Sequence, residues 1–110
     1  MTQDWTTDVK KYAPDFDSAA VTGIVNHLGI ALRAESKDAG FVACHDKVER
    51  DLVRDHFLKK KLGLTASDTE LDQAVMAVCE RMKAERDKPR VTFYYLLAEK
   101  YGKLAAFHHH

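Results

Sequence analysis

Apolar residues recur every three or four positions along most of the chain, which is the spacing of one buried face of an α-helix. The pattern is clearest after Ser67, where Ser67 and Glu70 also form a capping-box motif at the predicted helix start. The apolar positions of this predicted fourth helix are Leu71, Ala74, Val75, Val78, Cys79 and Met82. Because the spacing is close to ideal, this segment gives the strongest helix prediction in the chain.

Two earlier helices are predicted by the same spacing together with N-cap residues. Asp17 precedes one of them, and Gly29 predicts that this helix ends or kinks there. Asp46 and Glu49 form a capping box before the other, which is predicted to end at Gly63. The apolar positions are Val21, Ile24, Val25, Leu28 and Leu32 in the first of these helices, and Val48, Leu52, Val53, Phe57 and Leu62 in the second.

The remaining segments complete the prediction. A short first helix is expected over residues 4–12, before Pro14. Residues 34–40 are predicted to form a polar loop, and residues 41–44 to return the chain to the core.

Residues 91–95 are rich in β-branched and aromatic types and would favour a strand in isolation. However, Phe93, Leu97 and Tyr101 recur at helical spacing, and Gly102 marks an end. We therefore predict a fifth helix. The expected fold is all-α, a compact irregular bundle of about five helices, with residues 1–107 as a single helical domain and residues 108–110 as the remnant of a purification tag.

Charge and composition limit the binding partners and the cellular location that we expect. Lys plus Arg and Asp plus Glu number 17 each, so no net charge draws the chain to nucleic acid or to anionic membranes. No apolar run approaches the roughly 20 residues of a membrane span. The start lacks the basic and apolar regions of a secretory signal, so a cytoplasmic location is expected. Cys44 and Cys79 are accordingly expected to be reduced, packed thiols.

Four segments, residues 8–14, 27–33, 60–65 and 90–100, read DVKKYAP, HLGIALR, KKLGLT and RVTFYYLLAEK. With them the chain resembles the bacterial domain-of-unknown-function family 2853 over nearly its whole length. That resemblance implies a short, stand-alone and mainly helical bacterial protein. The family has no assigned activity, cofactor or partner, so the resemblance implies no site residues.

Several residues are of types that bind metals or act as nucleophiles, but their spacing does not support such a site. Cys44, His45, His56 and Cys79 are zinc-ligand types, but their spacing matches no structural zinc motif. Cys44 beside His45 and near Asp46 invites a nucleophilic triad, but adjacent side chains rarely converge and Asp46 already serves as an N-cap. We therefore predict no metal, no cofactor and no catalytic residue, and an enzyme is the less favoured reading.

Residues 57–67 look like the first helix and turn of a helix-turn-helix. The next helix opens with Asp68, Glu70 and Asp72, which phosphates would repel. Nucleic-acid binding is therefore kept only as the weaker alternative.

The helix predicted over residues 90–101 is apolar around more than half its circumference, so it is either a central core helix or it meets a partner on a second face. Tyrosine and arginine are frequent in binding hot spots. The candidate interaction surface is Lys59, Lys60, Lys61, Arg90, Tyr94 and Tyr95. We predict a non-enzymatic helical module that binds another protein or itself. The alternative is a small-molecule or catalytic pocket lined by His27, His56 and Tyr95.

Overall fold

The computed structural model describes residues 5–33, 41–85 and 88–107. The elements of these residues are, in chain order, α1 Trp5–Lys10, α2 Ser18–Arg33, β1 Phe41–Val42, α3 Lys47–Leu52, a π-helix Val53–Lys61, α4 Asp68–Arg81, β2 Lys88–Pro89, α5 Arg90–Lys100 and a 3₁₀ helix Leu104–Phe107. The predicted all-α class is confirmed. The loop predicted over residues 34–40 and the proposed tag lie outside the described residues.

Helix α5 is the centre of the fold. Every residue from 91 to 98 is buried, and α1, α2 and α4 all pack against this helix. A helix that is apolar on all sides must be surrounded by protein, which explains why this segment carries so many aromatic residues. The predicted fifth helix is therefore confirmed, in its central-core form.

Helices α2 and α4 begin at the predicted caps. The Ala20 N–H donates to Asp17 Oδ1 over 3.1 Å, and the Glu70 N–H donates to Ser67 Oγ over 3.3 Å. All six apolar positions predicted for α4 are buried. The predicted end at Gly29 is wrong, because α2 continues to Arg33. A glycine inside a helix costs only about 1 kcal/mol, which the packing of a long helix readily offsets.

The third predicted helix is in fact two elements. After Leu52 the backbone widens into the π-helix, and the Leu62 N–H donates to the Phe57 carbonyl oxygen, five residues back, over 2.9 Å. The buried side chains of this part are Val53, Phe57, Leu58 and Leu62, separated by four or five positions. A repeat of that length matches a helix that turns once in more than four residues.

The change of helix type corrects the predicted apolar stripe. Val48 and Leu52 were expected in the core, but they are 67% and 46% exposed. The core-facing repeat of the π-helix begins only at Val53, so the two earlier positions turn to the surface.

A two-stranded antiparallel pair that the sequence did not predict joins β1 to β2. Phe41 lies opposite Pro89, and Val42 lies opposite Lys88. Val42 is buried, so residues 41–42 do return the chain to the core as predicted. The pair also places the start of α5 beside the segment that leads into α3.

Glycines define two helix ends and one close contact. Gly63 and Gly102 have φ of 68° and 66°, the left-handed conformation that glycine adopts without strain, and both predicted ends are confirmed. Gly23 lets the last 3₁₀ helix close on α2, because a Cβ there would lie 2.1 Å from the Phe107 carbonyl oxygen. Phe107 is fully buried as a result.

Candidate functional site

The three consecutive lysines of the predicted interaction surface lie at the end of the π-helix. Lys59 forms an ion pair with Asp68 across the turn and lies 3.6 Å from Asp55. The Lys61 ammonium lies 5.3 Å from the centroid of the Phe107 ring. Lys60 is exposed. Two of the three positive charges therefore have partners within the fold.

The two tyrosines of the predicted surface are core residues. Tyr94 stacks on Phe57 with ring centroids 3.9 Å apart, and its hydroxyl accepts a hydrogen bond from Arg90 over 3.2 Å. The Tyr95 hydroxyl accepts from the Asp17 N–H over 2.8 Å. Both side chains are buried, so the fold leaves neither hydroxyl on a surface that a partner can reach.

Arg90 is a structural crosslink between three elements. Its guanidinium donates to the Glu49 carboxylate on α3 and, over 2.9 Å, to the Phe41 carbonyl oxygen on β1. The Arg90 side chain is only 13% exposed. The capping box predicted at Asp46 and Glu49 is therefore half correct. Asp46 accepts from the Val48 N–H, whereas Glu49 binds Arg90.

The three side chains of the predicted pocket lie in different surroundings. His27 is exposed, and its ring is 6.5 Å from Phe57 and 6.2 Å from Phe107 between centroids. His56 is exposed on the π-helix. Tyr95 is buried at its hydrogen bond with the Asp17 backbone. The three predicted lining residues are therefore divided between the surface and the core.

The acidic start of α4 faces the basic side of the π-helix. Arg54 lies 3.0 Å from Asp72, and Lys59 pairs with Asp68. In a helix-turn-helix the start of the second helix would approach phosphates. Here that start is acidic and is bound to the preceding helix.

These ion pairs and the cysteines fix how α3, the π-helix and α4 run side by side. Cys44 is linked to Cys79, Arg54 pairs with Asp72, and Lys59 pairs with Asp68. The first residue of each pair rises from 44 to 59 along the chain, while the second falls from 79 to 68. The continuous segment of α3 and the π-helix therefore runs antiparallel to α4. Both helices rise by about 1.5 Å per residue, so counting four residues away from the Arg54–Asp72 pair puts Met76 about level with Arg50, between Val48 and Leu52.

This register brings exposed apolar side chains to one surface. Val48 and Leu52 are one turn apart on α3, and we infer from the antiparallel register that Met76 on α4 lies beside them. Their exposed fractions are 67%, 46% and 48%. We call these three residues the α3–α4 face. This face is not evident from the sequence, because Val48 and Leu52 fit an ideal helical stripe.

The cysteines form a disulfide, which corrects the predicted reduced thiols. Cys44 and Cys79 are 35 residues apart in sequence, and their Cα atoms are 6.0 Å apart. Cys79 is buried on α4 as predicted. The expectation failed because it used the number of cysteines and the assumed compartment, neither of which reports spatial distance. A zinc site and a nucleophilic triad would both need a cysteine thiolate. In the disulfide form neither sulfur is a thiolate.

A second cluster, which was not predicted from the sequence, joins α1 to the segment after α4. Thr92 donates to Asp8 Oδ2, and the Tyr12 hydroxyl donates to Glu85 Oε2 over 2.6 Å. Lys11 Nζ lies 3.1 Å from Asp8 and 3.4 Å from Glu85. Residues so far apart in sequence give no local signal of this cluster.

The two carboxyl groups of this cluster are also hydrogen-bonded to each other, and their pKa values move apart. Burial and the bond with Asp8 raise the pKa of Glu85. Burial alone would raise the pKa of Asp8, but hydrogen bonds from Glu85, Thr92 and Lys11 outweigh it and lower that pKa. The arrangement favours one shared proton, held on Glu85.

Within the ranges 5–33, 41–85 and 88–107, no three His, Cys, Asp or Glu side chains come together as a metal site. In the same ranges, no helix combines the length and apolar character needed to cross a bilayer.

The family model described as "Protein of unknown function (DUF2853)" matches residues 4–105. The chain belongs to this family. The match spans every segment that suggested the resemblance and all but the last residues of the described fold. The comparison with curated proteins finds no match. Membership in the family assigns no activity, so function has to be argued from the surface and its chemistry.

Proposed function

We propose that this protein is a non-enzymatic helical interaction module whose α3–α4 face binds a second copy of the chain. The observation that carries the proposal is the exposure of Val48, Leu52 and Met76, which we infer to share one surface from the antiparallel register of α3 and α4. They are the exposed large hydrophobic side chains of the described residues. Single exposed apolar side chains are common, but adjacent ones are typical of interaction sites.

The charges around the α3–α4 face support a second copy as the occupant. Three ion pairs flank it: Lys47 with Asp51 at 2.7 Å, Arg54 with Asp72 at 3.0 Å, and Lys83 with Glu80 at 2.9 Å. A two-fold interface sets one surface against itself, so a rim with both signs can pair with its own copy. The formal net charge of zero adds no overall repulsion between copies.

This proposal narrows the one made from sequence. The surface predicted from the sequence combined the lysines at 59–61 with Arg90, Tyr94 and Tyr95. In the structure the two tyrosines are core residues. Exposed Lys60 remains available as a peripheral contact. The pairing of Lys59 with Asp68 supports protein over nucleic acid as the partner. A bacterial cytoplasmic setting is part of the proposal.

The test is sedimentation velocity of the oxidised protein without residues 108–110. Concentrations should extend to about 1 mM, where an association free energy of roughly −4 kcal/mol would populate a dimer. We expect a reversible monomer–dimer equilibrium. Met76→Lys and Val48→Lys should each abolish it, because a lysine at the centre of the contact would be buried without a partner.

The matched control is Asn26→Lys, which adds the same charge at an exposed position of α2. This variant should dimerise like wild type. Circular dichroism of all three variants should show wild-type helicity. A wild-type protein that stays monomeric over the whole range, or a dimer that tolerates both face variants, contradicts the proposal.

A further inference from the structure

Helix α3 lies outside the hydrophobic core. None of its six residues is buried, whereas the centre of α5 is buried throughout. A direct tie to the central helix is the ion pair between Glu49 and Arg90. A helix without core side chains owes its position to such crosslinks and to its connections along the chain.

The Cys44–Cys79 disulfide is the covalent crosslink at this point. Cys44 lies two residues before Asp46, the N-cap of α3, and Cys79 lies on the buried face of α4. Arg50 also donates to the Cys44 carbonyl oxygen over 2.8 Å. The disulfide therefore holds the start of α3 against α4, beside the α3–α4 face.

The two sulfur-bearing residues differ in access. Cys44 is partly exposed in the turn after β1, whereas Cys79 is buried. A thiolate from solvent therefore reaches the disulfide from the Cys44 side. In reducing compartments, disulfides that do form are usually transient or redox-sensing.

We propose that this disulfide is a redox latch: the α3–α4 face is assembled when Cys44 and Cys79 are bonded and is released when a small dithiol reduces them. The proposal rests on the function proposed for that face. Without the disulfide, α3 loses its covalent link to α4. The ion pairs of Arg54 with Asp72 and of Glu49 with Arg90 remain, but the start of α3 is free to move away from α4, and with it Val48.

The dithiol supplies the two electrons that reduce the Cys44–Cys79 disulfide. One thiolate of the dithiol attacks Cys44 Sγ and breaks the S–S bond, and Cys79 leaves as a thiolate that takes up a proton. The second thiolate of the reagent then attacks the reagent sulfur of the mixed disulfide. Cys44 is released and protonated, and the dithiol becomes a cyclic disulfide.

The test is hydrogen–deuterium exchange with and without dithiothreitol, at a concentration too low for self-association. We expect the amides of residues 47–52 to exchange roughly tenfold faster or more after reduction, as in local opening, while residues 91–98 keep their protection. A Cys44→Ala/Cys79→Ala double variant should exchange rapidly at 47–52 without reductant and should not respond to it.

Two results would overturn the latch. Unchanged exchange at 47–52 after reduction would show that the remaining contacts hold α3. Equal acceleration at 47–52 and 91–98 would show that the disulfide stabilises the whole domain.

Sedimentation of the same samples at high concentration separates the two proposals. Dimer when oxidised and monomer when reduced supports both. Faster exchange in α3 with a monomer in both states supports the latch and contradicts the proposed function. A dimer in both states with unchanged α3 exchange supports the function and overturns the latch.

Discussion

Arg90 and Glu49 form an ion pair that joins the central helix α5 to the surface helix α3. Their side chains are 13% and 19% exposed, so the pair is largely shielded from water. The Arg90 guanidinium also donates hydrogen bonds to the Phe41 carbonyl oxygen and to the Tyr94 hydroxyl. The ion pair therefore connects the buried core to the proposed interaction face.

Replacing Glu49 by alanine should destabilise the protein by about 2 kcal/mol, because a mostly buried guanidinium loses the ion pair with Glu49. The matched control is Glu80→Ala, which removes an exposed pair with Lys83 and should change the free energy of unfolding by less than about 0.5 kcal/mol. Urea unfolding of both variants measures the difference. Equal effects would contradict the structural role given to the Arg90–Glu49 pair.

Thr92 is the buried polar residue of the core in the described part of the chain, and its hydroxyl donates to Asp8. Thr92→Val keeps the shape of the side chain but leaves the Asp8 carboxylate without that donor. We expect a loss of about 1–3 kcal/mol. Thr22→Val, at an exposed position of α2, should be nearly neutral by comparison. Thermal unfolding of the two variants provides the check.

The Asp8–Glu85 pair predicts a specific pH dependence. The pKa of Asp8 is lowered from 3.8, so its contribution is present above that value and is lost as pH falls through the folded pKa. The pKa of Glu85 is raised from 4.5, so its contribution is complete below that value and is lost as pH rises through the folded pKa. Stability should therefore rise with Asp8 ionisation and then decline as Glu85 ionises.

Glu85→Gln tests this assignment. The glutamine amide can donate to Asp8 permanently, and its oxygen can still accept from Tyr12. The decline on the alkaline side of 4.5 should disappear, while the rise due to Asp8 remains. Urea unfolding across the acidic and neutral range gives the two profiles. Parallel profiles for wild type and variant would rule out Glu85 as the titrating group.

The sequence predicted the elements that owe their form to local periodicity. Helix α4 carries its cap and its buried side in consecutive turns, and α5 repeats Phe93 and Leu97 at helical spacing. Such patterns need no knowledge of distant residues. The π-helix is harder, although the five-residue steps from Val53 to Leu58 and from Phe57 to Leu62 are visible in the sequence.

The candidate site was less predictable because its contacts join distant parts of the chain. The residue pairs Cys44–Cys79, Glu49–Arg90 and Asp8–Glu85 are separated by 35 or more residues. Residue type alone also left open whether Tyr94 and Tyr95 face a partner or the core, because aromatic side chains suit both an interface and the centre of a bundle. Only packing distinguishes the two environments.

The central claim is that the α3–α4 face binds a second copy, and isotope-filtered NMR tests it most directly. An equal mixture of ¹³C-labelled and unlabelled oxidised protein reports only contacts between copies. We predict intermolecular nuclear Overhauser effects from the Met76 methyl group to the methyl groups of Val48 or Leu52. Intermolecular effects confined to other surfaces, or none at concentrations where the chain should be dimeric, would contradict the account.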